Sequence, residues 1–198
     1  MEISRYSRIH ADVARDVNNF GSVLEDLGDF QGAKTCCERA LKMAKTTCGP
    51  DHPNVATATS NLGSVLNALG DFKGAKEHYE QALKINEAAY GLNHPAVAIS
   101  VNNLGYVLNT LGDFQGAKVY YERALKIAKT AYGPDHPDVA KYVNNLGGVL
   151  KDLGDLQGAK ACYERALTIF SIFLGENHPT IIIVKKNLEA VNKEINDK

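Results

Sequence analysis

The sequence predicts an all-α solenoid of stacked helical hairpins: four full repeats closed by a C-terminal capping helix. Three observations predict it. His10, His52, His94, His136 and His178 recur every 42 residues, and a fixed period of that order marks a repeat architecture. Within each period the apolar residues fall three and four apart, the spacing of one helical face. Proline, glycine and aspartate stand at fixed points between the apolar stripes, where helices start and stop. The chain then divides as one array: an extension 1–9, repeats 10–51, 52–93, 94–135 and 136–177, and a half repeat 178–198. The second and third repeats are identical at 26 of 42 positions.

The third repeat shows the elements most plainly. Val97, Val101, Leu104, Val107, Leu108 and Leu111 form the stripe of its first helix, from Pro95 to Leu111. Pro95 suits the first turn, where a missing N–H costs nothing. Gly112 supplies the left-handed residue that ends the helix, and Asp113 can cap the next one. The second helix, 114–132, is expected to bury Ala117, Tyr121, Ala124, Leu125 and Ile127. Its outer face carries Lys118, Glu122 and Lys126 at i, i+4 spacing, worth a few tenths of a kcal/mol per pair. Gly133-Pro134-Asp135-His136-Pro137 then restarts the pattern. In the half repeat, Glu189 and Asn192 replace a packing glycine and a buried leucine. Polar residues there close the stack, as a terminal repeat must. The extension 1–9 has no such device, so weak self-association through that end, or a longer array upstream, is expected. Gly32, Gly74, Gly116 and Gly158 lie in the first turn of each second helix, where glycine costs up to about 1 kcal/mol relative to alanine. Close backbone packing would explain them; inheritance through duplication is the favoured explanation.

Leu104, Gly105, Leu108, Ala117, Tyr121 and Ala124, with their counterparts Leu62, Gly63, Leu66, Ala75, Tyr79, Ala82 and Leu146, Gly147, Leu150, Ala159, Tyr163, Ala166, resemble the signature of the tetratricopeptide repeat. Repeat 1 departs from it with Phe20 for the leucine and Cys37 for the tyrosine. The 42-residue period and the Gly-x-x-His-Pro linker resemble the kinesin light chain form of that repeat. The resemblance implies a right-handed superhelix whose first helices line a concave groove. It also implies a protein-interaction role, and it covers residues 10–198.

Composition bounds the rest. The formal net charge is −1 over 198 residues and 44% of them are hydrophobic. Near-neutral charge argues against a nucleic-acid partner. No apolar run approaches the about 18 residues a membrane span needs, and no signal peptide is visible. Cys36, Cys37, Cys48 and Cys162 form no CxxC pair, and aromatics or His78 replace Cys36, Cys37 and Cys162 in other repeats. They read as reduced, mostly buried small groups, which points to a cytoplasmic protein. The periodic histidines stand a hairpin apart, on the order of 10 Å, too far to share one metal. They are expected just before each helix-starting proline, in the extended conformation proline imposes. No catalytic spacing and no phosphate loop occurs, so neither enzyme activity nor a cofactor is expected.

By the register the resemblance supplies, the groove positions of the third repeat are Ile99, Asn102, Asn103, Tyr106, Asn109 and Thr110. Asn19, Asn61, Asn103, Asn145 and Asn187 repeat once per hairpin. Amides offer both donors and an acceptor and can hold the backbone of an extended peptide; inter-repeat amide bonding is the competing reading. Ser22, Ser64, Tyr106 and Gly148 vary at one groove position, as a specificity surface would. Asn144 is a further groove amide; Lys141, Lys151, Lys186 and Lys193, offset by Asp152 and Glu194, gather positive charge toward the C-terminal hairpins, which favours a peptide with acidic residues. The leading reading is a non-catalytic scaffold that binds such a peptide. The alternatives are a sensor or oligomerisation arm of a larger P-loop NTPase, and a helical-repeat RNA binder. The second lacks the stacking aromatics and basic groove it requires.

Overall fold

The structure, a computed structural model, describes the backbone of residues 2–197 and the side chains of residues 12–197. Among the described residues there are nine helices and no strand: α1 (Glu2–Asp26), α2 (Phe30–Cys48), α3 (Pro53–Ala68), α4 (Phe72–Tyr90), α5 (Pro95–Thr110), α6 (Phe114–Tyr132), α7 (Pro137–Asp152), α8 (Leu156–Phe173) and α9 (Pro179–Asn196). They form two compact units, Met1–Leu92 and Asn93–Lys198. In the first, α1 pairs with α2, α3 pairs with α4, and α2 packs on α3. In the second, α5 pairs with α6 and α7 with α8, α6 packs on α7, and α9 closes on α8.

The start signals behave as their chemistry requires. Pro53, Pro95, Pro137 and Pro179 each open a helix. The histidine before each is extended, as at His94 with φ −80° and ψ 145°. These histidines also cap. Nδ1 of His52, His94, His136 and His178 accepts the N–H of Asn54, Ala96, Asp138 and Thr180 at 3.1–3.2 Å. That satisfies one of the free N–H groups at the helix start. His10 is the exception: it precedes Ala11 instead of a proline, and α1 runs through it from Glu2.

The second helices start on Asp29, Asp71, Asp113 and Asp155, each accepting the N–H of the glycine three residues on at 2.9 Å. This gives Gly32, Gly74, Gly116 and Gly158 a local steric role that the sequence reading lacked, beside inheritance through duplication. A β-carbon there would lie 2.8–2.9 Å from the carboxyl carbon of the capping aspartate and displace it. In this cap geometry a residue without a side chain leaves the carboxylate where it is.

Glycine sets the hairpin interior too. A β-carbon on Gly63, Gly105 or Gly147 would stand 2.8–3.0 Å from Cε1 of Tyr79, Tyr121 or Tyr163. Each tyrosine ring therefore packs in the space that a side chain on the facing glycine would take. In the first hairpin, Gly21 faces the Sγ of Cys37 instead. Around these contacts Val55 and Val65 are fully buried in the first unit, as are Leu104, Val107, Val139, Val149 and Ile169 in the second. Each such side chain contributes about 1.5–3 kcal/mol by leaving water. Leu111 departs from the expected stripe. It is the C-cap of α5 and exposed, because the chain turns there. Leu125 is only half-buried. On α9, Ile181, Val184 and Val191 are buried while Glu189 is exposed, but Ile182 and Ile183 are exposed too, so the outward face of the last helix is mixed and not wholly polar.

Candidate functional site

The groove positions lie on the first helices and are best seen in the second unit, where α7 neighbours both α5 and α9. Ile99 and Tyr106 are 53% and 51% exposed, although both stand on α5, whose opposite face is fully buried. Lys141 on α7 and Lys186 on α9 are exposed and form no ion pair among the described residues. Lys151 differs: its ammonium meets Glu194 at 2.9 Å, which removes it from the free positive charge.

The amides fall into two groups. Asn102, Asn103 and Asn145 come together. Asn145 Nδ2 donates to Asn102 Oδ1 at 2.8 Å, and Asn102 Nδ2 reaches Asn103 Oδ1 at 3.5 Å. Asn102 is buried by this chain, while Asn103 and Asn145 stay half-buried. The inter-repeat bonding that competes with peptide binding is therefore present at this junction. Asn187 is half-buried, and the side-chain oxygens of Asn109 and Asn144 are enclosed without a partner among the described residues. In the first unit Asn19 is exposed and Asn61 half-buried, and no hydrogen bond joins them.

Two groove contacts escaped the sequence. Ser64 Oγ donates to Glu25 Oε1 at 2.8 Å, and Lys151 meets Glu194 as described. Their offsets of 39 and 43 residues differ from each other and from the repeat, so no periodic reading finds them. Arg15 is likewise occupied, by Asp12 at 3.1 Å and Asp16 at 3.8 Å.

Burial raises the pKa of several groups packed between the helices. Burial, aided by the nearby Glu25, pushes the Cys37 thiol up to about 11. Burial, then Asp152, pushes Tyr163 up to about 12. Tyr121 is raised by burial and then by Tyr106, and Tyr142 by burial and then by Asp138 and Tyr132. These shifts keep acids neutral where charge would be costly, and they do not assemble an acid–base pair. All four cysteines are free. Cys37 is buried, but Cys36, Cys48 and Cys162 are half-buried, so they are less enclosed than expected. Among the described residues no three His, Cys, Asp or Glu side chains gather as metal ligands, and no helix is long and apolar enough to cross a membrane.

Comparison places the chain among known proteins. The family profile described as Tetratricopeptide repeat matches residues 13–88, 58–130 and 96–171. No curated protein matches. The structure is similar to that of BtubC (BKLC) from P. vanneervenii, with TM-score 0.83 and 26% identity over 99% of this chain and 80% of that one. It also resembles a Podosopora anserina protein of nearly identical TPR-like repeats, described as a kinesin light chain. There the TM-score is 0.80 and the identity 20%, over 96% of this chain and 89% of that one. A second structure of that protein gives a TM-score of 0.79 at 20% identity.

Proposed function

We propose, from the premise that this chain belongs to the tetratricopeptide repeat family, that it is a non-catalytic scaffold holding an extended peptide against its first helices. Helical repeats of this family generally mediate protein–protein interaction. One observation carries the finer reading: α5 leaves Ile99 and Tyr106 half-exposed while its other face is fully buried. Large apolar side chains clustered at the surface mark an interaction site. Exposed Lys141 and Lys186 favour acidic residues or a terminal carboxylate in the ligand, and the half-buried Asn103, Asn145 and Asn187 offer amides to its backbone. The four free cysteines support a reducing, cytoplasmic setting.

A selection of random peptides displayed against the purified chain tests this. The enriched peptides are expected to be acidic, with one apolar residue, and to bind at about micromolar Kd, because ordering a flexible peptide offsets much of the contact energy. Replacing Asn103 and Asn145 with alanine should weaken every ligand about tenfold, or ~1.4 kcal/mol. The melting temperature is followed alongside, since Asn145 also bonds Asn102. Lys141→Glu with Lys186→Glu should weaken acidic ligands selectively and flatten their salt dependence. Ligands that bind both variants as they bind the parent would remove the groove assignment.

A further inference from the structure

The first unit holds a cleft of about 280 Å³ between α1, α2 and α3. Its walls include Ala44, Cys48 and Ala58. The repeat period allows these positions to be compared with their counterparts in the second unit. Between α5, α6 and α7 the counterparts are Ala128, Tyr132 and Tyr142; between α7, α8 and α9 they are Phe170, Leu174 and Val184. Tyr142 and Phe170 are buried, at 3% and 7% exposed. The hydroxyl of Tyr142 lies within electrostatic reach of Asp138 and Tyr132, the counterparts of Asn54 and Cys48, and those two residues line the first unit's cleft. The second unit thus fills this position with its own aromatic side chains. In the first unit all three positions are small, and the space is left open.

The cleft also has an unmet polar requirement. Asn18 lines it and is 7% exposed, and its side-chain oxygen has no partner among the described residues. In the second unit the counterpart, Asn102, accepts a hydrogen bond from Asn145; Asn18 receives none. A buried acceptor left unpaired costs about 1–3 kcal/mol, so a donor entering the cleft gains that interaction. The soft second torsion of asparagine lets its oxygen turn toward the opening. The charges at the rim are already paired, Arg15 with Asp12 at 3.1 Å, which disfavours an ionic ligand. Asp12 and Asn18 lie six residues apart on α1, roughly 9 Å along the helix. The volume sits at the lower end of the ~300–1,000 Å³ usual for ligand pockets. A cavity of about 150 Å³ already holds a benzene ring, so this cleft has room for one substituted ring and for a short chain attached to it at the opening.

We propose that the cleft between α1, α2 and α3 binds a neutral aromatic ring carrying a hydrogen-bond donor, of the phenol class. The ring occupies the space that Tyr142 fills in the second unit, and its donor meets Asn18 Oδ1. The site stands whether or not a peptide lies along the groove.

Cys48 makes the cleft measurable, because it is the thiol that lines it. The full chain is alkylated with iodoacetamide, and the rate at each cysteine is read by mass spectrometry with p-cresol or anisole present. p-Cresol is expected to slow Cys48 at least threefold and leave Cys36 and Cys162 unchanged. Anisole has the ring but no donor and should protect far less. Ala58→Tyr copies the second unit; it should raise the melting temperature and abolish protection by p-cresol. If that variant does not fold, Ala44→Phe serves the same purpose. Asn18→Leu should erase the preference for p-cresol over anisole. No protection at millimolar p-cresol, equal protection by anisole, or undiminished protection in the filled variants would overturn the proposal. Acetyl-Ala-Tyr-Ala-amide separates the sources: protection at tenfold lower concentration than p-cresol identifies a tyrosine of a partner chain, and equal or weaker protection identifies a free phenol. Either result keeps the site.

Discussion

Gly116 is a residue whose role depends on one neighbouring carboxylate. Taken alone, alanine in a helix is better than glycine by up to about 1 kcal/mol. Here the N–H of Gly116 is held by Asp113 at 2.9 Å, and a β-carbon would displace that carboxylate. A lost N-cap costs about 0.5–2 kcal/mol. Gly116→Ala is therefore expected to lower stability by about 0.5–1 kcal/mol in urea unfolding. With the cap already removed in Asp113→Ala, the same glycine change should stabilise, since only the helix preference remains. A sign that does not reverse between the two backgrounds would show that the cap is not the reason for the glycine. Asp113 as a cap was legible in the sequence, because aspartate before an amphipathic stripe has few other roles. Its hold on the glycine was not, because that depends on a backbone conformation, φ −82° and ψ 70°, which folds the carboxylate over the first turn.

At the scale of the element, α1 stands apart. It has 25 residues where α3, α5 and α7 have 16. The difference traces to Ala11, since a proline at that point starts each of the shorter helices. Val13 and Phe20 on α1 are 41% and 57% exposed, whereas their counterparts Val55 and Leu62 on α3 are buried against α2. No described helix covers that face of α1. We propose that a second copy of the chain covers it weakly. Sedimentation should then show association rising through the high-micromolar range, and Phe20→Glu should abolish it without lowering the melting temperature. A parent chain that stays monomeric at millimolar concentration would refute this. The expectation from the sequence placed this end at residues 1–9, whose side chains lie outside the described residues; Val13 and Phe20 are the part the structure supports. Helix starts, caps and the apolar stripes were legible because each depends on neighbours within one turn. Inter-repeat amide bonding was legible as the competing reading, but that Asn145 pairs with Asn102, and the groove's Glu25–Ser64 and Lys151–Glu194 contacts, were not, since they join residues 39 to 43 apart whose offsets follow helix packing and not the sequence period.

For the whole molecule, several buried acids respond to pH in the same direction. Cys37 is held up from 9.0 to about 11 and Tyr163 from 10.0 to about 12, with Tyr121 and Tyr142 also raised, all chiefly by burial. An unfolded chain releases these protons first. Between the unfolded and folded values the native state binds more protons, so stability falls as pH rises. The melting temperature should be level from pH 7 to 8.5 and then drop by ~5 °C or more by pH 10.5. An unchanged melting temperature at pH 10.5 would mean that these groups are not enclosed as described.

Hairpins this alike raise a problem of order. The second and third repeats share 26 of 42 residues, and the same caps and the same glycine–tyrosine contact recur in each. Shared parts alone do not distinguish one hairpin from another. Besides the packing positions around the first unit's cleft, a small set of polar contacts differs from place to place: Glu25 with Ser64, Asn102 with Asn145, Lys151 with Glu194. Each uses a different pair of chemical groups. The shared residues make the hairpins, and these three contacts are places where one hairpin differs from the next.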